Sequence, residues 1–331
     1  MNRRLFLTGA AALAYAPAAF AQTRDYAAAA RYSAERRGVS LLIMQAGRIL
    51  FEDYPNEGAP GAAWELASGT KSFCGIIAAA AVRDGLLTLD ERAADTLPEW
   101  RADPRKRRIT IRQLLSLCSG IDAGRLLRPP TYADAVAADA AGEPGAAFAY
   151  GPNPFQIFGE IMRRKLTRDA DPLAYLQRRV FDALDIRPQR WRRGADNMPH
   201  LPSGAALTAR EWAAFGRFVE TGGQGVLDGA ALAANFAVSP ANPGYGMSWW
   251  LLRPGLIPPR PGAGVVVDNE GFARLGDVRM AAGAGDQRLY LVPERGLVIA
   301  RQARLDLRVL MGRDGAPRFS DAEFLRLILD N

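Results

Sequence analysis

Histidine and cysteine are almost missing from this chain of 331 residues. It has one histidine, His200, and two cysteines, Cys74 and Cys118. So few nitrogen and sulfur ligands argue against a zinc site, and we expect neither a metal nor another cofactor. A Ser-His-Asp triad would have to use His200, and the absence of a Gly-x-Ser-x-Gly elbow removes the α/β-hydrolase interpretation. We interpret His200 as a structural residue before the turn at Ser203-Gly204.

The two cysteines allow either a disulfide or two thiols. Cys74 and Cys118 both stand in apolar sequence of helical character. In an oxidising compartment they could form one disulfide between two core helices, and otherwise they are buried free thiols. Both interpretations stay open, because the sequence does not give the distance between them.

Lysine is scarce as well, whereas arginine is abundant. Three lysines stand against 42 − 3 = 39 arginines. Lys106 and Lys165 lie in short basic runs, and Lys71 alone lies in apolar sequence. Because arginine cannot lose its proton, a chain that otherwise uses arginine has a chemical reason for a lysine at this position.

Long apolar runs and large clusters of one charge are also missing. The 42 basic and 35 acidic residues are interspersed, so we expect a solvated, arginine-rich surface and no nucleic-acid partner. The apolar run 5–16 is too short to span a bilayer. It follows Arg3-Arg4 and precedes Ala19-Phe20-Ala21, so residues 1–21 have the features of a signal peptide, either twin-arginine or general secretory. We expect a periplasmic or secreted protein with no stable membrane anchor after cleavage.

Strand patterns lie toward both ends of the chain, and helix patterns fill the middle. Apolar runs flank the turn Ala46-Gly47, and others are predicted over 244–252 and after residue 277. Capping residues predict helices that begin after Thr110, Thr208 and Ser320.

This order of elements predicts an α/β (α+β) fold. Its antiparallel sheet would come from both termini, over about 22–67 and 244–331, and be flanked by helices. An all-helical part, over about 75–243, would be inserted between them.

The segment Ser68-Gly69-Thr70-Lys71 places a serine three residues before the lysine that lies in apolar sequence. It begins an Ala-rich helix that should run to about Arg83 and stop at Gly85. Residues three apart share a helix face, and burial would lower the pKa of the amine enough for it to accept the serine proton. The alternative is that Ser68 caps the helix and Lys71 reaches solvent.

Several stretches of the chain resemble the serine β-lactamase and penicillin-binding-protein superfamily. The resemblance is nearest to the class C β-lactamases and their esterase and carboxypeptidase relatives, and it covers nearly the whole mature chain. It implies an α/β sandwich beside a helical subdomain, with the site between them. The matching stretches are 65–73, 84–90, 109–120, 144–150 with Gly159, and 283–293.

The resemblance also implies roles for individual residues. Ser68 would be the acylated nucleophile and Lys71 its base partner. Tyr150 would share the proton transfer, provided that its pKa falls well below about 10. The backbone N–H groups of Ser68 and Ala284 would form the oxyanion hole.

The chain departs from the family pattern at two motifs. The usual Tyr-x-Asn is Tyr150-Gly151-Pro152 here, and Asn153 would either supply the amide from a shifted backbone or cap a helix. The usual Lys-Thr-Gly type is Ala281-Ala282-Gly283, which has no cation.

The third motif bears on how the chain would bind a substrate. Gly283 and Gly285 would let this edge strand approach a substrate closely. Arg274 or Arg288 could restore the missing charge, although the alternation around Arg288 favours the solvent face.

These features predict an exported serine hydrolase that forms an acyl-enzyme on Ser68. Because the third motif lacks its cation, we expect an ester or amide without a strongly recognised carboxylate. The alternatives are a D,D-carboxypeptidase or β-lactamase, and a catalytically silent relative that binds peptidoglycan or peptides. The expected partner is therefore a small-molecule or peptide-like substrate, with peptidoglycan as a further candidate.

Overall fold

Most strands form one antiparallel sheet built from both ends of the chain. A computed structural model describes residues 25–126, 128–259, 264–306 and 317–330, so the predicted signal peptide lies outside the described residues. The sheet has the order β2-β1-β9-β8-β7-β6, and β3, β5 and β4 form a separate small sheet. The strands are β1 (Gly38–Gln45), β2 (Arg48–Asp53), β3 (Trp64–Glu65), β4 (Arg190–Trp191), β5 (Ala205–Leu207), β6 (Trp250–Leu251), β7 (Arg279–Gly283), β8 (Gln287–Val292) and β9 (Leu297–Ala303).

Helices flank the sheet and fill the middle of the chain. This mixed architecture with an antiparallel sheet confirms the predicted fold class. Within the described ranges, none of the helices combines the length and apolarity needed to cross a bilayer. The helices are α1 (Ala27–Glu35), α2 (Ser72–Arg83), α3 (Ala93–Thr96), α4 (Ile111–Leu115), α5 (Tyr132–Ala137), α6 (Asn153–Lys165), α7 (Pro172–Leu176), α8 (Ala209–Glu220), α9 (Gly229–Ala234), α10 (Asn269–Leu275) and α11 (Asp321–Leu329).

Both faces of the large sheet are covered. In β8, Leu289 and Leu291 face α8, where a Cβ added to Gly216 would lie 3.0 Å from Leu289. Arg288 and Tyr290, which alternate with these leucines, face α11 and bond to Asp321. The sheet is therefore the middle layer of a helix–sheet–helix stack.

The three predicted helix starts are confirmed. The side chains of Thr110, Thr208 and Ser320 each accept a hydrogen bond from the backbone N–H three residues later. These caps satisfy donors that the first turn of a helix leaves free.

The structure corrects some predicted bounds. The strand predicted over 244–252 is reduced to β6, because the backbone folds on itself there and Gly246 N–H bonds to Trp249. Helix α10 and the small sheet were not predicted, because elements of two or three residues carry no clear periodicity and the α10 segment is polar.

Candidate functional site

Ser68 lies in a strained turn just before α2. The 3₁₀ turn Ala67–Lys71 leads into α2, so the α-helix itself begins later than predicted. Ala67 has φ 46°, a left-handed conformation that costs an alanine about 1–2 kcal/mol. A hydrogen bond from Leu66 N–H to the Ala205 carbonyl (2.9 Å) helps to hold this turn. Among residues 66–81, Ser68 alone is not buried, so the turn exposes one hydroxyl from a packed segment.

Lys71 is buried directly beside that hydroxyl. Its amine lies 3.1 Å from Ser68 Oγ and donates to the Pro202 carbonyl at 3.1 Å. The residue is 3% exposed, so the alternative in which Lys71 reaches solvent is wrong. Burial lowers the pKa of Lys71 to about 7, against a weaker opposite effect of the Cys74 thiol. The amine is therefore substantially neutral at pH 7 and can accept a proton.

Tyr150 completes the cluster on the solvent side. The Lys71 amine lies 4.8 Å from the centre of the Tyr150 ring. Burial raises the pKa of Tyr150 to about 12, and the opposing effects of Ser68, Arg288 and Trp250 offset only part of this rise. The expectation of a lowered pKa is wrong, because burial outweighs these effects. Tyr150 is thus a neutral phenol, so the condition set for it as a proton acceptor is not met and the role it can take is that of a proton donor.

Aromatic rings line one side of the cluster. The ring of Trp250 lies 5.5 Å from that of Tyr150 and 4.8 Å from that of Tyr245. Phe148 lies 6.3 Å from Tyr150 and is only partly buried. Tyr150 and these three residues form the aromatic wall, in which Trp250, Tyr245 and Phe148 surround Tyr150 with apolar surface. No local pattern in the sequence predicted that Phe148 and Tyr245 would belong to it.

The end of β7 packs against the Ser68 turn. A Cβ added to Gly283 would lie 2.0 Å from the Leu66 carbonyl oxygen and 3.1 Å from the Gly69 nitrogen, so only glycine fits here. Ala284 and Gly285, which follow, belong to the turn between β7 and β8, where Gly285 has φ 75°. The strand edge named in the sequence therefore meets the backbone on both sides of Ser68.

The Asn153 side chain bonds to the protein backbone. Its side-chain amide donates to the Asp122 carbonyl at 2.9 Å, and it makes no cap bond. The cap role predicted for Asn153 is therefore wrong, because Pro152 occupies the N-cap. The role of Asn153 as a shifted amide stays a prediction. The polar partner that Lys71 finds instead is the Pro202 carbonyl, which a sequence motif of side chains cannot reveal.

Arg288 is buried, which contradicts the predicted solvent position. It is 1% exposed, and its Nε donates to Asp321 at 2.7 Å. The charge is therefore neutralised inside the protein and does not replace the missing cation of the third motif. Arg274 lies exposed on α10.

The remaining candidate residues, the two cysteines and His200, have no role in the proton transfer of the cluster. Cys74 and Cys118 are free, buried thiols, so the free-thiol interpretation is confirmed and the disulfide interpretation is wrong. The reason is that Cys74 faces the Leu201 carbonyl whereas Cys118 interacts with Ser239. His200 lies among Arg192, Gly194 and Asp196, and burial together with Arg192 lowers its pKa.

A cavity between two helices of the helical region does not mark this site. It measures about 690 Å³ and lies between α5 and α6, lined by residues such as Trp100, Tyr132 and Glu160. Glu160 already pairs there with Arg163 and Arg164. The candidate site is therefore located by its chemistry and not by cavity volume.

Sequence comparison agrees with this geometry. Residues 21–314 match the Beta-lactamase family, which is most of the chain. The chain belongs to the Beta-lactamase family. No curated protein sequence matches it.

Solved structures of hydrolases share the Beta-lactamase fold of this chain. A D-stereospecific amidohydrolase from Streptomyces sp. is 17% identical, with a TM-score of 0.64 over 89% of this chain and 100% of its own. EstCE1, a hydrolase with promiscuous acyltransferase activity, is 16% identical, with a TM-score of 0.65 over 91% and 96%. A protein from Bacillus anthracis with an inferred 6-aminohexanoate-dimer hydrolase activity is 16% identical, with a TM-score of 0.67 over 89% and 79%. At these identities the likeness shows the fold alone.

Proposed function

We propose that this member of the Beta-lactamase family is an exported serine hydrolase that forms an acyl-enzyme on Ser68. The observation that carries the proposal is the 3.1 Å contact between the Ser68 hydroxyl and a buried amine whose pKa is about 7. A serine hydroxyl needs such a base before it becomes an effective nucleophile.

The proposed reaction moves one proton around the cluster. The neutral Lys71 amine takes the proton of Ser68 while Oγ bonds to the substrate carbonyl carbon. The N–H groups of Ser68 and Ala284 stabilise the oxyanion. Tyr150 then gives its proton to the leaving alcohol or amine and regains one from the Lys71 ammonium. Water then attacks the acyl carbon while Lys71 takes one of its protons. Lys71 gives this proton to Ser68 Oγ as the acyl bond breaks, which releases the carboxylic acid and restores the serine hydroxyl.

The proposed substrate is an ester or amide with an apolar acyl group and no strongly recognised carboxylate. The third motif, Ala281-Ala282-Gly283, carries no cation, and Arg288 is already paired with Asp321. The aromatic wall offers apolar surface next to Ser68. The D-stereospecific amidohydrolase and EstCE1 share the fold, which supports a hydrolase of amides or esters.

A fluorophosphonate should label the intact protein at Ser68 alone. Mass spectrometry after digestion should show one adduct on the peptide that contains Ser68, and hydrolysis of nitrophenyl acetate should disappear in Ser68→Ala. Ser203→Ala is the matched control, because Ser203 is also partly exposed and takes no part in the cluster. Unchanged turnover in Ser68→Ala would reject the proposal.

The same labelling assay separates the alternatives. Saturating modification of Ser68 by a fluorescent penicillin, with faster turnover of a β-lactam or a D-Ala-D-Ala peptide than of neutral esters, would identify a β-lactamase or D,D-carboxypeptidase. Binding of peptidoglycan fragments without any Ser68 adduct would identify a silent binding protein, as the altered motifs allow.

The pH dependence should report the Lys71 amine. Because the base must be neutral, kcat/KM for nitrophenyl acetate should rise about tenfold per pH unit below pH 7 and level off above it. The pKa of Tyr150, about 12, predicts no descending limb up to pH 9. Stopped-flow rates, corrected for spontaneous hydrolysis, measure this profile. An ascending limb centred near pH 4–5 would instead assign the base to a carboxylate.

A further inference from the structure

The turn between β7 and β8 sits on a buried charge network. Arg288, on β8, is 1% exposed, and its Nη1 donates to the carbonyl oxygens of Gly283 (3.2 Å) and Gln287 (3.1 Å). Its Nε donates to Asp321 at the start of α11 (2.7 Å), and the same carboxylate accepts from the Tyr290 hydroxyl at 2.6 Å. The fork of the guanidinium therefore joins α11 to the last peptide of β7.

That last peptide is the one whose N–H belongs to Ala284. The described residues contain no cis peptide bond, so Gly283–Ala284 is trans and planar. In a trans peptide the C=O and the N–H point in opposite directions. A donor that holds the Gly283 carbonyl on the buried side therefore directs the Ala284 N–H away from the protein interior.

Without the bond from Arg288, the peptide between Gly283 and Ala284 could rotate. Gly283 and Gly285 lie on either side of Ala284, and glycine allows a wider range of φ and ψ than any other residue. Arg301 fixes the far end of the turn through Nη1, which donates to the Asp286 carbonyl at 2.6 Å. The near end is held by the bond from Arg288 to Gly283.

We propose that Arg288, oriented by Asp321, is a positioning residue that aims the Ala284 N–H at the oxyanion formed on substrates of Ser68. This inference rests on the proposed function. A charged donor on the carbonyl also polarises the peptide, which makes its N–H a stronger donor. Arg288 does not replace the cation missing from the substrate side of the third motif, and acts instead from the buried side of the strand.

The test compares an oxygen ester with its thionoester, in which the developing charge sits on a larger and weaker hydrogen-bond acceptor. For Arg288→Lys and Asp321→Asn, kcat for the oxygen ester should fall by about 10- to 100-fold with KM nearly unchanged. The thionoester should lose much less, so the ratio of the two rates should shrink. A merely structural loss would reduce both rates equally and keep the ratio.

Tyr290→Phe is the matched control, because it removes a buried hydrogen bond to Asp321 without touching the Gly283 carbonyl. It should keep the wild-type ratio. Thermal unfolding of each variant shows that it is folded, and the near-isosteric Asp321→Asn serves if Arg288→Lys does not fold.

The outcomes separate this inference from the function on which it rests. An active wild-type protein with the wild-type ratio in both Arg288→Lys and Asp321→Asn would overturn the inference alone. A wild-type protein that hydrolyses neither ester and gives no Ser68 adduct would overturn both.

Discussion

Lys71→Arg should lower kcat/KM for nitrophenyl acetate by about 10³-fold or more. The wild-type amine has a pKa of about 7 and contacts Ser68 Oγ at 3.1 Å, so it can take the hydroxyl proton. A guanidinium keeps its proton at every accessible pH and cannot act as a base. The guanidinium resembles the protonated form of Lys71, so the loss measures the removal of the base. Initial rates and fluorophosphonate labelling of Ser68 should fall together.

The chain supplies two matched controls for this substitution. Lys106→Arg and Lys165→Arg make the same chemical change at the other two lysines. Lys165 pairs with Glu91 at 2.8 Å, and Lys106 lies 5.7 Å from the Trp100 ring, and an arginine can make both contacts. Both variants should keep wild-type activity. A Lys71→Arg protein within tenfold of the wild type would remove Lys71 from the reaction.

Local patterns in the sequence predicted much of the fold. Thr110, Thr208 and Ser320 mark helix starts because a side-chain oxygen satisfies a backbone donor a few residues away, which is a local event. The hairpin around Ala46-Gly47 is local in the same way. The bounds of β6 were wrong because a turn, closed by the bond from Gly246 N–H to the Trp249 carbonyl, interrupts the predicted strand.

The part of the candidate site that lies within one helical turn could be predicted from the sequence. The contact between Ser68 and Lys71 follows from their spacing, and the burial of Lys71 follows from its apolar neighbours and from the scarcity of lysine. The Pro202 carbonyl on the Lys71 amine comes from a residue 131 positions away, and no motif of side chains encodes it.

Burial of polar groups was the main source of wrong predictions. Arg288 alternates with apolar residues, which favours a solvent face in a sheet covered on one side. The sheet is covered on both sides, and Asp321, the first residue of α11, makes the buried position tolerable by pairing with the guanidinium. The raised pKa of Tyr150 has the same origin, since its aromatic neighbours remove water from the phenol.

Lys71→Met should change stability in a way that depends on pH. The pKa of Lys71 is lowered from 10.5 to about 7 by burial. Between these two values the unfolded chain binds a proton that the folded chain has released, so wild-type stability rises with pH through this window. The loss of stability caused by burying a charged amine is complete below about pH 7 and disappears above pH 10.5.

Methionine has no such proton, so the variant lacks this dependence. The free energy of unfolding of Lys71→Met minus that of the wild type should fall by about 2–3 kcal/mol between pH 6 and pH 9. The lost hydrogen bonds to Ser68 and to the Pro202 carbonyl add a constant offset of about 1–3 kcal/mol, which does not alter this slope. Urea unfolding at several pH values measures the difference. Lys106→Met is the control, because it removes one lysine charge outside the core. Its free energy of unfolding minus that of the wild type should not change with pH. A level difference for Lys71→Met as well would mean that the amine is charged in the folded protein, and the proposed base would then have no free electron pair with which to accept the serine proton.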